Sequence, residues 1–221
     1  MIKFIINATR ILFLGVFIWL MIKGSPVVWL GIFGISLLLA LLFGRIYCGW
    51  ICPMNTIMIP TEWLSKKLNL QSKDMPKWLE SGFIPWAMLI ILVLTMSLLQ
   101  KLIGIQIPIL LYVLLLSVVV TLRYKPEVFH NNICPFGPLQ SLTGRFTRLT
   151  EKVNYDKCTG CKLCETVCPS KAVIVSEQDK KARINPSLCH QCFNCQLICP
   201  KDAINYGNKR NKKGEKNNEN L

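Results

Sequence analysis

Long apolar stretches fill the first 122 residues of this 221-residue chain, whereas the C-terminal part mixes short apolar and polar segments. Four of these stretches approach the roughly 20 residues that cross the hydrocarbon core of a bilayer. They cover residues 4–22, 27–43, 83–99 and 103–122. The pattern predicts four transmembrane helices, the first of which carries Asn7 and Arg10 in its N-terminal third. We therefore expect a membrane part followed by a soluble part.

The connections pair these segments into two hairpins. Residues 23–26 join the first two segments, and residues 100–102 join the last two. No small-residue cleavage site follows the first segment, which favours a retained helix over a signal peptide. Basic residues collect in the 44–82 connection and after the fourth segment, where we interpret Arg45 and Arg123 as topology charges. This pattern predicts a multi-pass protein of the cell membrane with both termini in the cytoplasm.

Two further segments have a recognisable character. Residues 55–70 combine apolar side chains with Lys66 and Lys67, which predicts an amphipathic helix lying on the membrane surface. Residues 207–221 consist mostly of Asn, Lys, Gly and Glu, which predicts a disordered basic tail.

The net charge of +14 is uneven along the chain. Residues 1–150 hold 13 Lys and Arg against 4 Asp and Glu, whereas residues 151–221 hold 13 against 8. An excess around apolar segments is typical of membrane topology and of attraction to anionic lipid. A nucleic-acid-binding protein would carry its basic face on a soluble fold, so no nucleic-acid partner is predicted.

Eight of the eleven cysteines follow one spacing, C-x2-C-x2-C-x3-C-P, which occurs twice. The second copy begins at Cys189, which is 31 positions after Cys158. In this spacing three thiolates of a tight loop bind one [4Fe–4S] cubane and the fourth thiolate binds the other. The predicted ligands are Cys158, Cys161, Cys164 and Cys199 for cluster one, and Cys189, Cys192, Cys195 and Cys168 for cluster two.

Other cysteine chemistries fit this spacing poorly. A zinc site uses four ligands in two pairs, and a disulfide array requires no such repeat. Thiolate-bound clusters belong in a reducing compartment, so we expect this domain in the cytoplasm. Val173–Val175 and residues 203–204 are expected to form short strands of a small core, and His190 is expected beside the cluster and not as a ligand.

The predicted fold is a membrane α-helical bundle followed by a small α+β domain. Four transmembrane helices in two repeated hairpins occupy residues 1–149. A bacterial-type 2×[4Fe–4S] ferredoxin domain occupies residues 150–206, and the basic tail occupies residues 207–221.

A second, weaker repeat lies at the ends of the hairpins. Cys48 and Cys52 form C-x3-C-P, and His130 and Cys134 form H-x3-C-P at a distance of 82 residues. These four residues are a candidate third centre, and three interpretations stay open. They bind a further iron–sulfur cluster, in which His replaces one Cys; they bind another metal or form a dithiol; or they pack helix ends, with His130 on the surface.

Several redox classes are excluded. The chain has two histidines, neither within a predicted span, so a membrane haem with two histidine ligands is not expected. It contains no C-x-x-C-H haem-attachment motif and no G-x-G-x-x-G dinucleotide motif. No Asp or Glu lies within a span, which argues against an ion pump.

These features together resemble one family. Gly44-Arg45-x-x-Cys48-x-x-x-Cys52-Pro53, the later Cys134-Pro135 and the trailing ferredoxin motifs resemble the NapH-type membrane ferredoxins. The membrane core is also similar to the NosR–CcoG-like membrane iron–sulfur proteins. The resemblance covers nearly the whole chain except the tail, and the chain departs from it at His130, where the family pattern has cysteine.

The resemblance implies a function. NapH-type proteins accompany periplasmic nitrate reductases and are taken to pass quinol-derived electrons. The chain is therefore expected to be an electron-transfer component of a quinol-dehydrogenase-like complex, linking the ferredoxin clusters with a quinone pool or with a flavin or haem partner subunit. No catalytic residue is predicted. The alternative is an assembly or regulatory protein that reduces a metal or matures a respiratory enzyme.

Overall fold

The computed structural model of the chain describes residues 2–72, 76, 79, 81–102 and 108–208. The chain divides into two compact units. The first unit comprises Met1–Ile35 and Trp50–Leu139, and the second unit comprises Ser36–Gly49 and Gln140–Leu221.

Apolar helices dominate residues 2–144, which include the described part of the first unit. Proline occupies the first turn of α2, α3 and α6, where its missing N–H is not needed and its fixed φ suits a helix start. The helices are α1 (Ile2–Ile22), α2 (Pro26–Phe43), α3 (Pro53–Lys67), α4 (Ile84–Leu102), α5 (Ile109–Arg123), α6 (Pro126–Asn132) and α7 (Gly137–Gly144).

Two of these helices, α1 and α2, are long and apolar enough to cross a membrane, and 28% of the spanning window is buried in each. The apolar stretches Ile84–Leu98 in α4 and Ile109–Arg123 in α5 are shorter. Part of the predicted fourth segment, residues 103–107, lies outside the described residues.

Helix α3 occupies the region where an amphipathic helix was predicted, but it begins and ends earlier. It begins at Pro53, and it stops before Asn69, whose φ of 51° is left-handed. Left-handed residues of this kind commonly end helices. One face packs against α5, where Ser65 Oγ donates a hydrogen bond of 2.6 Å to the Leu122 carbonyl. The opposite face exposes Trp63.

The second unit contains two small antiparallel sheets. Strand β1 (Leu149–Val153) pairs with β4 (Ile204–Asn208), and β2 (Val173–Val175) pairs with β3 (Ala182–Ile184). The predicted strand at Val173–Val175 is confirmed. Strand β4 extends two residues beyond the predicted end of the domain, and residues 209–221 of the predicted tail lie outside the described residues.

The 31-residue sequence repeat is also a repeat of backbone conformation. Short helices α8 (Leu163–Thr166) and α9 (Asn194–Ile198) occupy matching places in the two copies. Left-handed backbone recurs at three matched pairs of positions, which shape the loops around the cysteines. The pairs are Gly160 and Gln191, Lys162 and Phe193, and Lys171 and Asp202.

Candidate iron–sulfur centres

A cavity in the second unit is lined by all four cysteines predicted for cluster one. Cys158, Cys161 and Cys164 come from the loop before α8 and from α8 itself, whereas Cys199 follows α9. The structure therefore brings the fourth cysteine of the second motif to the first three of the first motif. Small and apolar residues complete the interior of the lining: Val175, Ala182, Ala203 and Ile204.

Backbone N–H groups point at the cysteine sulfurs at matched places in the repeat. The N–H of Ala172 donates to Cys168 Sγ at 3.2 Å, and the N–H of Ala203 donates to Cys199 Sγ at 3.4 Å. Each donor lies four residues after its cysteine, so the two hydrogen bonds are equivalent. Hydrogen bonds to sulfur stabilise thiolates and help to set cluster potentials.

The electrostatics of the first quartet suit a cationic group. Burial, with a smaller contribution from the charges of Cys158 and Cys161, raises the pKa of the Cys164 thiol to about 11. Thiolates placed this close repel one another unless a cation lies among them. Four converging sulfurs around one cavity therefore fit a [4Fe–4S] group that they share.

The second quartet shows the reciprocal crossing. Burial raises the pKa of Cys189 and of Cys195, and the charges of Cys192 and Cys168 add to this increase in both. Cys168 belongs to the first motif, yet it acts electrostatically on two thiols of the second. This electrostatic effect of Cys168 on the second set agrees with the predicted crossing of the fourth cysteines.

Glu151 is a buried acid beside the second quartet that the sequence reasoning missed. Its side chain is 2% exposed, and neither carboxylate oxygen has a hydrogen-bond partner among the described residues. Burial raises its pKa to about 7, and its charge raises the pKa of Cys189 and Cys195. The alternation of β1 gave a signal, because residue 151 lies on the same face as Val153, which belongs to the core.

The segment between α2 and α3 supports the loop that carries the second quartet. Arg45, interpreted from the sequence as a topology charge, is 1% exposed and donates from Nη1 to the Ser187 carbonyl at 3.1 Å. Gly49 lies so close to the His190 carbonyl that an added Cβ would be 2.1 Å from that oxygen. The Gly-Arg motif is therefore in contact with the cluster-two loop within the second unit.

The four residues of the candidate third centre are all buried. Cys52, His130 and Cys134 belong to the first unit and Cys48 to the second. The interpretation of His130 as a surface residue is wrong, because it is 4% exposed and its Nε2 lies 3.2 Å from Asn55 Oδ1.

The sulfurs of the first quartet surround a cavity and do not converge on a single point. Among the described residues, no group of three or more His, Cys, Asp or Glu side chains is arranged to hold one metal ion. The two findings concern different groups, because a cubane spreads its ligands over four iron atoms, whereas a single ion draws them to one point.

Two family models match the chain. One, described as a 4Fe-4S binding domain, matches residues 25–71 and again residues 106–153, so each match contains one copy of the hairpin-end motif. The other, described as a 4Fe-4S dicluster domain, matches residues 150–219 and contains both ferredoxin motifs.

Relatives with related names match over much of the chain. An uncharacterized protein of Methanocaldococcus jannaschii is 32% identical over 66% of this chain and 60% of its own length. The methylamine utilization ferredoxin-type protein MauN of Methylobacillus flagellatus is 30% identical, over 63% of this chain and 53% of its own. The ferredoxin-type protein NapH of Haemophilus influenzae is 26% identical, over 64% and 53%.

The matched part spans about half to three-fifths of the length of these relatives. No solved structure matches the chain. The repeated iron–sulfur family models and the named ferredoxin-type relatives agree with the spacing of the cysteines and with their placement around the cavity. Together these findings support the NapH-type 4Fe–4S ferredoxin family for this chain.

Proposed function

We propose that the chain is a membrane-bound electron-transfer subunit that passes electrons between cytoplasmic-side ferredoxin clusters and a quinone pool or a partner redox enzyme. One observation carries this proposal. Cysteines from both ferredoxin motifs line a single cavity, which is the arrangement that two interleaved cubanes require. The family and the names of the relatives support an iron–sulfur electron-transfer role of this kind.

The chain holds two [4Fe–4S] clusters in this proposal, one on each interleaved quartet. Such a group supplies reversible one-electron transfer. The residues of the chain bind the irons as thiolates, donate backbone hydrogen bonds to the sulfurs and exclude water from the buried second quartet. Exchange of Cys168 and Cys199 ties the two halves together, so folding and cluster binding are coupled.

We further propose that α1, α2, α4 and α5 all cross the membrane, with both termini and the ferredoxin domain in the cytoplasm. Large apolar side chains face outward on each of these helices, and lipid would cover them. Examples are Phe4, Leu38, Ile91 and Val119. Reporter fusions test the topology: a cytoplasmic reporter is expected to be active after residue 208 and inactive within residues 23–26.

A third centre at Cys48, Cys52, His130 and Cys134 stays a proposal from the sequence. The resemblance of the two hairpin-end motifs supports it, and each copy lies within a match to the 4Fe-4S binding model. Iron analysis tests it, because two cubanes contain about 8 iron atoms and three contain about 12.

Reduction by a quinol tests the electron-transfer function. Chain purified anaerobically with its partner complex should show cluster reduction when a quinol analogue is added. The assembly alternative predicts a different outcome: deletion would leave bulk electron flow unchanged, while a target respiratory enzyme would accumulate without its metal.

A further inference from the structure

The two proposed cluster sites differ in their exposure to solvent. In the second quartet Cys189, Cys192 and Cys195 are buried and Cys168 is half-buried, whereas Cys161 of the first quartet is exposed. Electron exchange with a separate protein requires close approach to a cluster or to one of its ligands. The first site is therefore the one that an external partner can reach.

The exposed part of the first cavity's lining, which we call its mouth, combines apolar residues with positive charge. Leu163 and Pro200 are exposed lining residues like Cys161, and Lys162 and Lys201 are the charged residues of the lining. No Asp or Glu is among the described residues that line this cavity. Apolar centres with charged rims are typical of protein interfaces.

Neighbouring charges reduce this positive potential but do not enter the mouth. Asp156 and Asp202 are exposed close by in the sequence and lie outside the cavity lining. Lys181 is also outside the lining, and its Nζ donates a hydrogen bond of 2.6 Å to the Cys158 carbonyl. Lys162 and Lys201 are therefore the cations placed to meet a partner at the exposed ligand.

The second site offers no comparable surface. Residues 184–200, which contain its loop, include no charged side chain. Contacts of Arg45 with the Ser187 carbonyl and of Gly49 with the His190 backbone cover this loop with the chain's own segment. Among the residues that the structure describes, an exposed cysteine ligand with charged residues beside it occurs at the first site alone.

We infer that the mouth of the cluster-one cavity is the docking surface for an acidic one-electron carrier protein. This inference rests on the proposed function. Carboxylates of the carrier meet Lys162 and Lys201, and its redox centre approaches Cys161. When the carrier is the electron donor, its reduced form loses one electron and cluster one gains it, and no bond forms or breaks. An exposed cluster ligand favours a redox protein over anionic lipid, since a lipid headgroup exchanges no electron.

The test compares two matched charge removals in the full chain. K162Q/K201Q alters the mouth, and K66Q/K67Q removes the same charge from α3 in the other unit. Cluster reduction by a reduced, acidic [2Fe–2S] ferredoxin is followed by stopped flow over a range of salt concentrations. Binding of the oxidised ferredoxin is measured separately. At low salt K162Q/K201Q should lower both the second-order rate constant and the affinity about tenfold, which is on the order of the usual effect of charges at the rim of an interface. The difference between this variant and the wild type should vanish at about 0.5 M salt, because salt screens the charges.

Several results would overturn the inference. Equal rates and affinities for the two variants would do so, as would a rate that does not depend on salt. Loss of binding to phosphatidylglycerol vesicles with unchanged ferredoxin affinity would assign the lysines to lipid. Photoreduction by a deazaflavin distinguishes failure of the docking inference from failure of the proposed function. Clusters that are photoreduced normally would leave the electron-transfer proposal in place. A chain without reducible clusters would contradict both the docking inference and the electron-transfer proposal.

Discussion

Substitution of Gly49 by alanine tests whether the segment after α2 shapes the second cluster site. An alanine Cβ at this position would lie 2.1 Å from the carbonyl oxygen of His190, which stands between Cys189 and Cys192. Relaxed carbon–oxygen contacts are about 3.3 Å or longer, so the two backbones must separate by about 1.2 Å. Because the obstacle is a backbone atom, rotation of a side chain cannot relieve the overlap.

The expected magnitude follows from the cost of overpacking. Extra atoms in a packed site usually cost about 1–3 kcal/mol. If opening of the loop relieves this strain, the rate of iron loss rises by about 5- to 150-fold, because about 1.4 kcal/mol corresponds to a factor of ten. The effect should fall on cluster two, so about half of the iron, the share of one cubane out of two, should leave in the fast phase.

Anaerobic iron release to a chelator measures this effect, followed by the visible absorbance of the clusters and by EPR of the reduced protein. Gly34→Ala is the matched control, because nothing lies within 4 Å of a Cβ at that position in α2. Its release should follow the wild-type time course. Single-phase release from Gly49→Ala at the wild-type rate would refute the proposed support of the loop by this segment.

Three further changes have defined outcomes. Gly160→Ala should labilise cluster one, because residue 160 has a φ of +71° and its Cβ would lie 2.1 Å from the Lys180 carbonyl; iron release that matches wild type would contradict this. Folding stability should fall as pH rises from 4.5 to about 7, because the buried Glu151 carboxyl keeps its proton to a higher pH than an exposed glutamate does. In Glu151→Gln the midpoint of thermal unfolding should therefore depend less on pH across that window. Arg45→Met removes the hydrogen bond from the guanidinium to the Ser187 carbonyl, a loss of about 1.5–3 kcal/mol. The EPR signal of cluster two should broaden in this variant, and Arg45→Lys should give an intermediate result.

The sequence predicted the parts of the molecule that local patterns encode. The ferredoxin motifs combine fixed spacing with a repeat, so the order of the cysteines predicts the crossing of Cys168 and Cys199 between the two quartets. Long apolar runs predicted the positions of α1 and α2, because a helix needs about 20 consecutive apolar residues to cross the hydrocarbon core of a bilayer. The three-residue strand β2 was found for a similar reason, as a β-branched run between polar residues.

Contacts between distant residues could not be predicted in this way. Arg45 and Ser187 are 142 positions apart, and no local pattern distinguishes a buried arginine from a topology charge after an apolar helix. The close approach of Gly49 to the His190 carbonyl is likewise visible only once the chain has folded. Burial of His130 beside Asn55 depends on the packing of α3 against its neighbours.

Iron and acid-labile sulfide analysis of the anaerobically purified chain, combined with EPR, tests the central claim most directly. Two interleaved quartets predict at least about 8 iron and 8 sulfide per chain, together with the EPR signals of two interacting reduced cubanes. Replacement of Cys168 or Cys199 by serine should disturb the cluster formed mainly by the opposite motif. Colourless protein without iron, or loss of the cluster of the same motif in each variant, would contradict the account.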